Sequence, residues 1–125
     1  MTSVFWVIIP HYNEKWMNIF IGTRTTKQSA IKLAQSELLS NKWKGSQCRV
    51  IECRYDSCGN ATKLFRFEVS RMGRASSSEE TDWYHAKPNS LVMKMRKQYG
   101  VDSNGYLVKK NIEPKPYSVI ETLWN

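Results

Sequence analysis

Three cysteines, Cys48, Cys53 and Cys58, recur with four residues between neighbours, and thiols in a cluster can hold a metal ion or act as nucleophiles. Structural zinc usually takes its cysteines in pairs roughly two to four residues apart on a tight knuckle. In a strand, positions 48 and 53 fall on opposite faces, because successive side chains alternate. Cys48 and Cys53 are therefore read as small buried hydrophobes, and Cys58 as a turn residue. No metal site is expected. Asp102, Glu113 and Lys115 match the loose nuclease pattern in which two carboxylates hold a divalent cation beside a lysine. Such centres sit on a core strand, whereas Pro114 and Pro116 interrupt this one and disfavour strand pairing. The reading is surface charges in a loop, with a metal-dependent nuclease kept as the remote alternative.

Acid–base or nucleophilic catalysis finds equally little support. The two histidines are His11, assigned to a polar hairpin turn, and His85, which follows Asp82-Trp83-Tyr84. There is no nucleophile elbow, phosphate-binding glycine loop, dinucleotide fingerprint or zinc-protease motif. The chain is expected to be no enzyme and to need no cofactor.

Charge carries more information. Nineteen Lys and Arg against eleven Asp and Glu give a formal net charge of +8, which attracts polyanions. The excess is uneven: residues 1–74 carry 12 basic and 5 acidic side chains, residues 75–125 carry 7 and 6. Cations also stand beside aromatics, as in Lys15-Trp16 and Lys42-Trp43-Lys44. Cations neutralise phosphates and release counterions, and exposed rings stack on unpaired bases. The candidate contact residues are Lys42, Trp43, Lys44, Lys15, Trp16, Arg71, Arg74, Lys94, Arg96 and Lys97. Phe65, Phe67 and Tyr55 are assigned to the core instead.

The elements that must position these groups follow from the apolar pattern. Val4–Ile9 is apolar on both faces and reads as a central strand that Pro10 stops. Residues 11–15 make the turn, Trp16–Ile21 the return strand, and Gly22 its end. Thr25 and Gln28 have capping-box spacing, and Ala30, Ile31, Ala34 and Leu38 form a helical stripe, with Lys27, Lys32 and Gln35 off it. Asn41 and Gly45 supply the stop. Residues 48–55 and 62–71 read as a hairpin. Its core face carries Ile51, Cys53, Tyr55, Phe65, Phe67 and Val69; its wet face carries Glu52 opposite Arg66.

Met72–Asp82, rich in serine and opening on Gly73, reads as a flexible loop. A second helix is expected over Leu91–Tyr99, ended by Gly100, then a short strand at Tyr106–Lys110 and a C-terminal extension. The hairpin followed by Thr26-x3-Ala30-x3-Ala34 resembles the strand–strand–helix opening of arm-type DNA-binding domains in phage integrases, which place three strands before the helix.

The expected fold class is α+β: an antiparallel sheet of four or more strands in the order β-β-α-β-β, then α-β and a C-terminal extension, with the first helix packed on one face. Residues 1–74 form the main body, 75–87 a flexible loop, and 88–125 an appended unit of the same domain. No apolar run reaches the ~18–20 residues that cross a bilayer, and the early apolar stretch is too short for a signal peptide. A cytoplasmic protein is expected, in the host cytoplasm if phage-encoded. The expected function is a small, basic, non-catalytic protein that binds DNA or RNA, or a complex that handles them. The alternative is a protein-binding inhibitor or adaptor of phage or mobile-element type acting on a host defence complex.

Overall fold

The computed structural model describes residues 2–40, 47–55, 57, 61–81 and 115–120. Seven elements occur in the order β1 (Thr2–Asn13), β2 (Lys15–Arg24), α1 (Lys27–Leu39), β3 (Gln47–Tyr55), β4 (Ala61–Ser70), β5 (Glu79–Thr81) and β6 (Val119–Ile120). The strands make one six-stranded sheet, ordered β5-β4-β3-β1-β2-β6, and every neighbouring pair is antiparallel. With α1 packed on one face, the class is α+β. No helix among the described residues is long and apolar enough to cross a membrane.

The central strand is β1, as its two apolar faces require. Phe5, Val7 and Ile9 point to the helix side, where they join Ile19, Val50, Phe67 and Val69 under Ala30, Ala34 and Leu38. The two alanines let the helix approach closely, and all three helix residues are fully buried. Truncating Leu38 to Ala would cost about 2–5 kcal/mol by the usual cavity rule. On the opposite face Trp6, Ile8, Phe20, Ile51, Cys53 and Leu64 are also buried. The Trp6 and Phe20 rings meet there edge-on, 5.4 Å apart.

Several local expectations are corrected by register. Pro10 does not stop β1: the strand continues to Asn13, with Pro10 opposite Asn18. Among the described residues the pairing of β1 with β3 ends at Ile8, so the proline lies beyond that ladder and opposite β2, a position where a missing N–H is tolerated. His11 accordingly sits in a strand opposite Met17, not in a turn. The turn contracts to Glu14, between paired Asn13 and Lys15, at a left-handed φ of 64°.

Gly22 lies inside β2, not at its end. Val7 faces Gly22 and Ile8 faces Phe20, so Ile21 is the extra residue of a β-bulge. A Cβ on Gly22 would stand 3.6 Å from the Leu33 side chain, which shows how closely α1 passes the bulge.

The cap of α1 is Thr26, one residue later than the expected Thr25. Its hydroxyl accepts from Ser29 N at 3.2 Å, with Ser29 Oγ donating back to Thr26 O at 3.0 Å. Ser40 is the C-cap; Asn41 and Gly45 lie outside the described residues.

The β3–β4 hairpin has a register offset from the expected one. Glu52 faces Phe65 and Ile51 faces Arg66, with an irregularity between Arg54 and Tyr55 near the turn. Both hairpin faces are therefore apolar at the centre: Cys48 and Val50 lie with Val69 and Phe67, Ile51 and Cys53 with Arg66 and Leu64. The expected Glu52–Arg66 pair does not form. The cross-strand pair that does form is Arg49–Glu68, at 3.1 Å.

Part of the segment expected to be a loop is a strand: β5 pairs Glu79–Thr81 with Leu64–Arg66, and Ala75 bridges to Val69. At the other edge β6 pairs Val119 and Ile120 with Ile19 and Asn18, so the C-terminal extension supplies an edge strand. Two strands, not three, precede α1. The second helix expected over 91–99 and the strand over 106–110 lie outside the described residues.

Candidate nucleic-acid interface

Strand directions bring several predicted contact residues to one end of the sheet. β1 ends at Asn13 and β2 begins at Lys15, so the exposed Lys15 marks that end. β3 begins at Gln47 opposite Ser70, the last residue of β4, and Arg71 and Arg74 follow in the next turn. α1 ends beside them, because Arg71 Nη1 donates to Leu38 O at 2.8 Å. Lys42, Trp43 and Lys44 lie outside the described residues. The backbone of Trp16 pairs with Tyr12. Lys94, Arg96 and Lys97 lie outside the described residues, as do Asp102, Glu113 and His85.

The turn that carries Arg71 and Arg74 is fixed by its own bonds. Ser70 N donates to Arg74 O at 3.0 Å and Gly73 N to Ser70 O at 2.9 Å. Gly73 adopts φ 77°, a left-handed conformation that favours glycine, and a Cβ there would lie 2.8 Å from Gln35 Oε1, so the Gln35 amide would have to shift. Gln35 Nε2 donates to Arg71 O at 3.3 Å. Arg71 thus has a structural task, satisfying a terminal helix carbonyl with a cation at the negative end of the dipole. Arg74 is exposed.

The carboxylates show where charge is neutralised. Glu68 pairs with Arg49 at 3.1 Å and Glu79 with Arg66 at 3.5 Å, both on the face away from α1 by register. On the helix side Glu52, nearly buried, accepts from Ser3 Oγ at 2.7 Å and Arg54 Nε at 3.0 Å. Glu80 and Lys63 approach to 3.9 Å at the surface, a contact of little energetic consequence. Glu37, buried on α1, accepts from Tyr117 Oη at 3.2 Å. That bond, with burial and the carboxylate charge added, raises the Tyr117 pKa above the ordinary value.

What is left is a set of exposed cations, of which Arg24 and Lys27 lie on the helix side, while Arg74 pairs with Ser70, which by alternation from Val69 faces away from α1. Among the described residues Arg24, Lys27, Lys32 and Arg74 belong to no ion pair. Arg24 stands opposite Phe5 on the helix side, Lys32 lines a shallow groove with Gln35, Ser36, Leu39 and Ser40, and Lys27 Nζ sits 4.9 Å above the Phe67 ring. Arg54 likewise covers Phe65 at 4.0 Å. Arg24, Lys27 and Lys32 are not among the contact residues expected from sequence. The signal that could have found them is their position off the apolar stripe of α1, or just before it, with no acidic residue in the helix's first turn.

The two described cysteines are both buried, on opposite faces as their spacing requires. Cys48 Sγ donates to Ile8 O at 3.2 Å. Burial pushes its thiol well above the ordinary range, with the charges of Glu68 and Glu37 adding to the effect. Such a thiol is no nucleophile at neutral pH. Among the described residues no three of His, Cys, Asp and Glu stand together to hold a metal ion.

No protein-family model matches this chain, and neither a curated protein nor a solved structure matches it.

Proposed function

We propose that this chain is a small, non-catalytic, cytoplasmic protein that engages nucleic acid or a complex that processes it. One observation carries the reading: the excess of exposed cations over exposed carboxylates outside ion pairs. Glu52, Glu68, Glu79 and Glu80 are each committed to a neighbouring cation and Glu37 is buried, while Arg24, Lys27, Lys32 and Arg74 face solvent without a carboxylate partner among the described residues. Among the described residues, exposed cations outside the ion pairs (Lys15, Arg24, Lys27, Lys32, Arg74 and Lys115) outnumber exposed carboxylates outside them (Glu14). A low-dielectric wall with one sign of charge focuses the field toward a polyanion. Lys15 lies at the same end of the sheet as Arg71 and Arg74.

The test is binding of the full chain to short DNA and RNA oligonucleotides by fluorescence anisotropy at low salt, with polyglutamate as competitor. Binding that polyglutamate fails to displace at equal charge concentration supports the reading. No binding at low salt overturns it.

A second reading, an inhibitor or adaptor that docks on another protein, is favoured by one feature. Leu39 and Met72 are 56% and 77% exposed, and both border the clamped turn near the groove containing Lys32. Apolar side chains ringed by cations suit an acidic protein surface. A pull-down in the presence of nuclease separates the two readings, because a nucleic-acid bridge would be lost.

A further inference from the structure

We infer that residues 115–120 form a displaceable strap over the outer edge of β2, latched by the Tyr117–Glu37 hydrogen bond, which opens while the rest of the sheet stays folded. Three observations lead to it.

The first is the small amount of pairing that holds the strap to the sheet. Among the described residues β6 meets β2 at two positions, Val119 opposite Ile19 and Ile120 opposite Asn18. Beside them Phe20 N donates to Ser118 O at 2.9 Å, and Tyr117 N donates to Phe20 O at 2.6 Å. The inner ladders are longer: β1 pairs with β3 from Thr2 to Ile8, and β3 with β4 from Gln47 to Tyr55. Elements with few bonds and exposed side chains open locally, well before the whole domain unfolds. Tyr117 and Val119 are 49% and 52% exposed.

The second is that the closed strap carries features that oppose closure. Tyr117 adopts φ 67°, a left-handed conformation that is sterically unfavourable for a bulky side chain. Ser118 Oγ and Glu37 Oε1 are buried without a hydrogen-bond partner among the described residues. A buried polar atom left unpaired disfavours the state that buries it. Opening relaxes the backbone at Tyr117 and returns the Ser118 hydroxyl to water.

The third is the bond that offsets these features. Tyr117 Oη donates to Glu37 Oε2 at 3.2 Å, and hydrogen bonds to a carboxylate are stronger than those between neutral groups. Glu37 is buried on α1, which is seated on the sheet through Ala30, Ala34 and Leu38. The latch therefore ties the strap to a fixed element. Once the strap leaves, the Phe20 N–H and C=O lose these partners and β2 becomes the open edge, with the groups through which an added strand pairs.

The experiment is amide hydrogen exchange of the full chain, followed residue by residue by NMR at one pH across a urea series below the unfolding transition. Phe20 reports the strap, because its N–H donates to Ser118 O. Val50 reports the sheet, because β3 is flanked by β1 and β4. Phe20 is expected to exchange about tenfold or more faster than Val50 and to be insensitive to urea, while Val50 exchange rises with urea. Tyr117→Phe removes the latch hydroxyl and is expected to speed Phe20 exchange about tenfold. Ser118→Ala removes the unpartnered hydroxyl and is expected to slow it severalfold, so the test does not hang on one variant. Phe20 exchange as slow as that of Val50, with the same urea dependence, overturns the strap. A Phe20 rate that Tyr117→Phe leaves unchanged, or that Ser118→Ala fails to slow, overturns the latch.

Discussion

Gln35 and Arg71 hold each other's elements in place: the Gln35 amide donates to the Arg71 carbonyl at 3.3 Å, and the Arg71 guanidinium returns to the end of the same helix, donating to Leu38 O at 2.8 Å. The turn after β4 is thereby tied to the last turn of α1. Hydrogen bonds from a charged group contribute about 1.5–3 kcal/mol. Arg71→Ala is expected to lower unfolding free energy by about that amount in chemical denaturation. Its effect on nucleic-acid affinity should be small once the protein is folded, which distinguishes it from Lys32→Gln.

Gly73 lies under the same clamp. Its φ of 77° and the 2.8 Å approach to Gln35 Oε1 mean that Gly73→Ala meets both strain and a clash, costing about 1–2 kcal/mol. In the double variant Gln35→Ala/Gly73→Ala the clash disappears and the backbone strain stays. The second alanine should therefore cost less in the Gln35→Ala background than alone, as a double-mutant cycle of melting curves would measure. Equal costs in both backgrounds would contradict this packing.

Glu14 offers the opposite case. It turns the first hairpin at φ 64° with its side chain exposed, a conformation that costs a non-glycine residue about 1 kcal/mol. Glu14→Gly relieves that strain but frees the unfolded chain. Glu14→Asn keeps a side chain and tolerates the left-handed region. The asparagine variant is expected to melt higher than the unaltered protein, by up to about 1 kcal/mol of stability.

Alkaline pH should destabilise the protein through Cys48. Its folded thiol titrates far above the unfolded one, so the stabilisation is complete below the unfolded pKa of about 8.5 and is lost as pH rises above it. At about pH 9.5, one unit above the unfolded value, the loss attributable to Cys48 is on the order of 1 kcal/mol. Denaturant titrations at about pH 7.5 and about pH 9.5 should show it in the unaltered protein, and Cys48→Ala should reduce the difference by that amount. Tyr117 acts in the same direction at higher pH, since its raised pKa makes the neutral phenol the form bound to Glu37.

Some of these relationships are visible in the sequence, and others are hidden for physical reasons. The apolar stripe Ala30, Ala34 and Leu38 announces the buried face of α1, and the doubly apolar run through Val7 and Ile8 announces the central strand. Register is not legible in the second hairpin. Alternation is equally consistent with two pairings one residue apart, and both faces near Val50 and Ile51 are apolar. In the observed register Glu52 meets Phe65, with an irregularity between Arg54 and Tyr55. β5 is hidden because its residues, Glu79-Glu80-Thr81, have no apolar face; they are held by β4 and by Arg66 and Lys63. Among candidate contacts, Arg71 and Arg74 read alike in sequence. Only the packing gives Arg71 a carbonyl to cap and leaves Arg74 exposed.

The most direct test of the central claim is the salt dependence of duplex binding by the full chain. Each exposed cation that neutralises a phosphate adds about 0.9 to the negative slope of log K against log salt, so engagement by at least two of them predicts a slope of about −2 or steeper. The slope should be the same for unrelated sequences. A flat line, or affinity that survives high salt unchanged, would contradict the account.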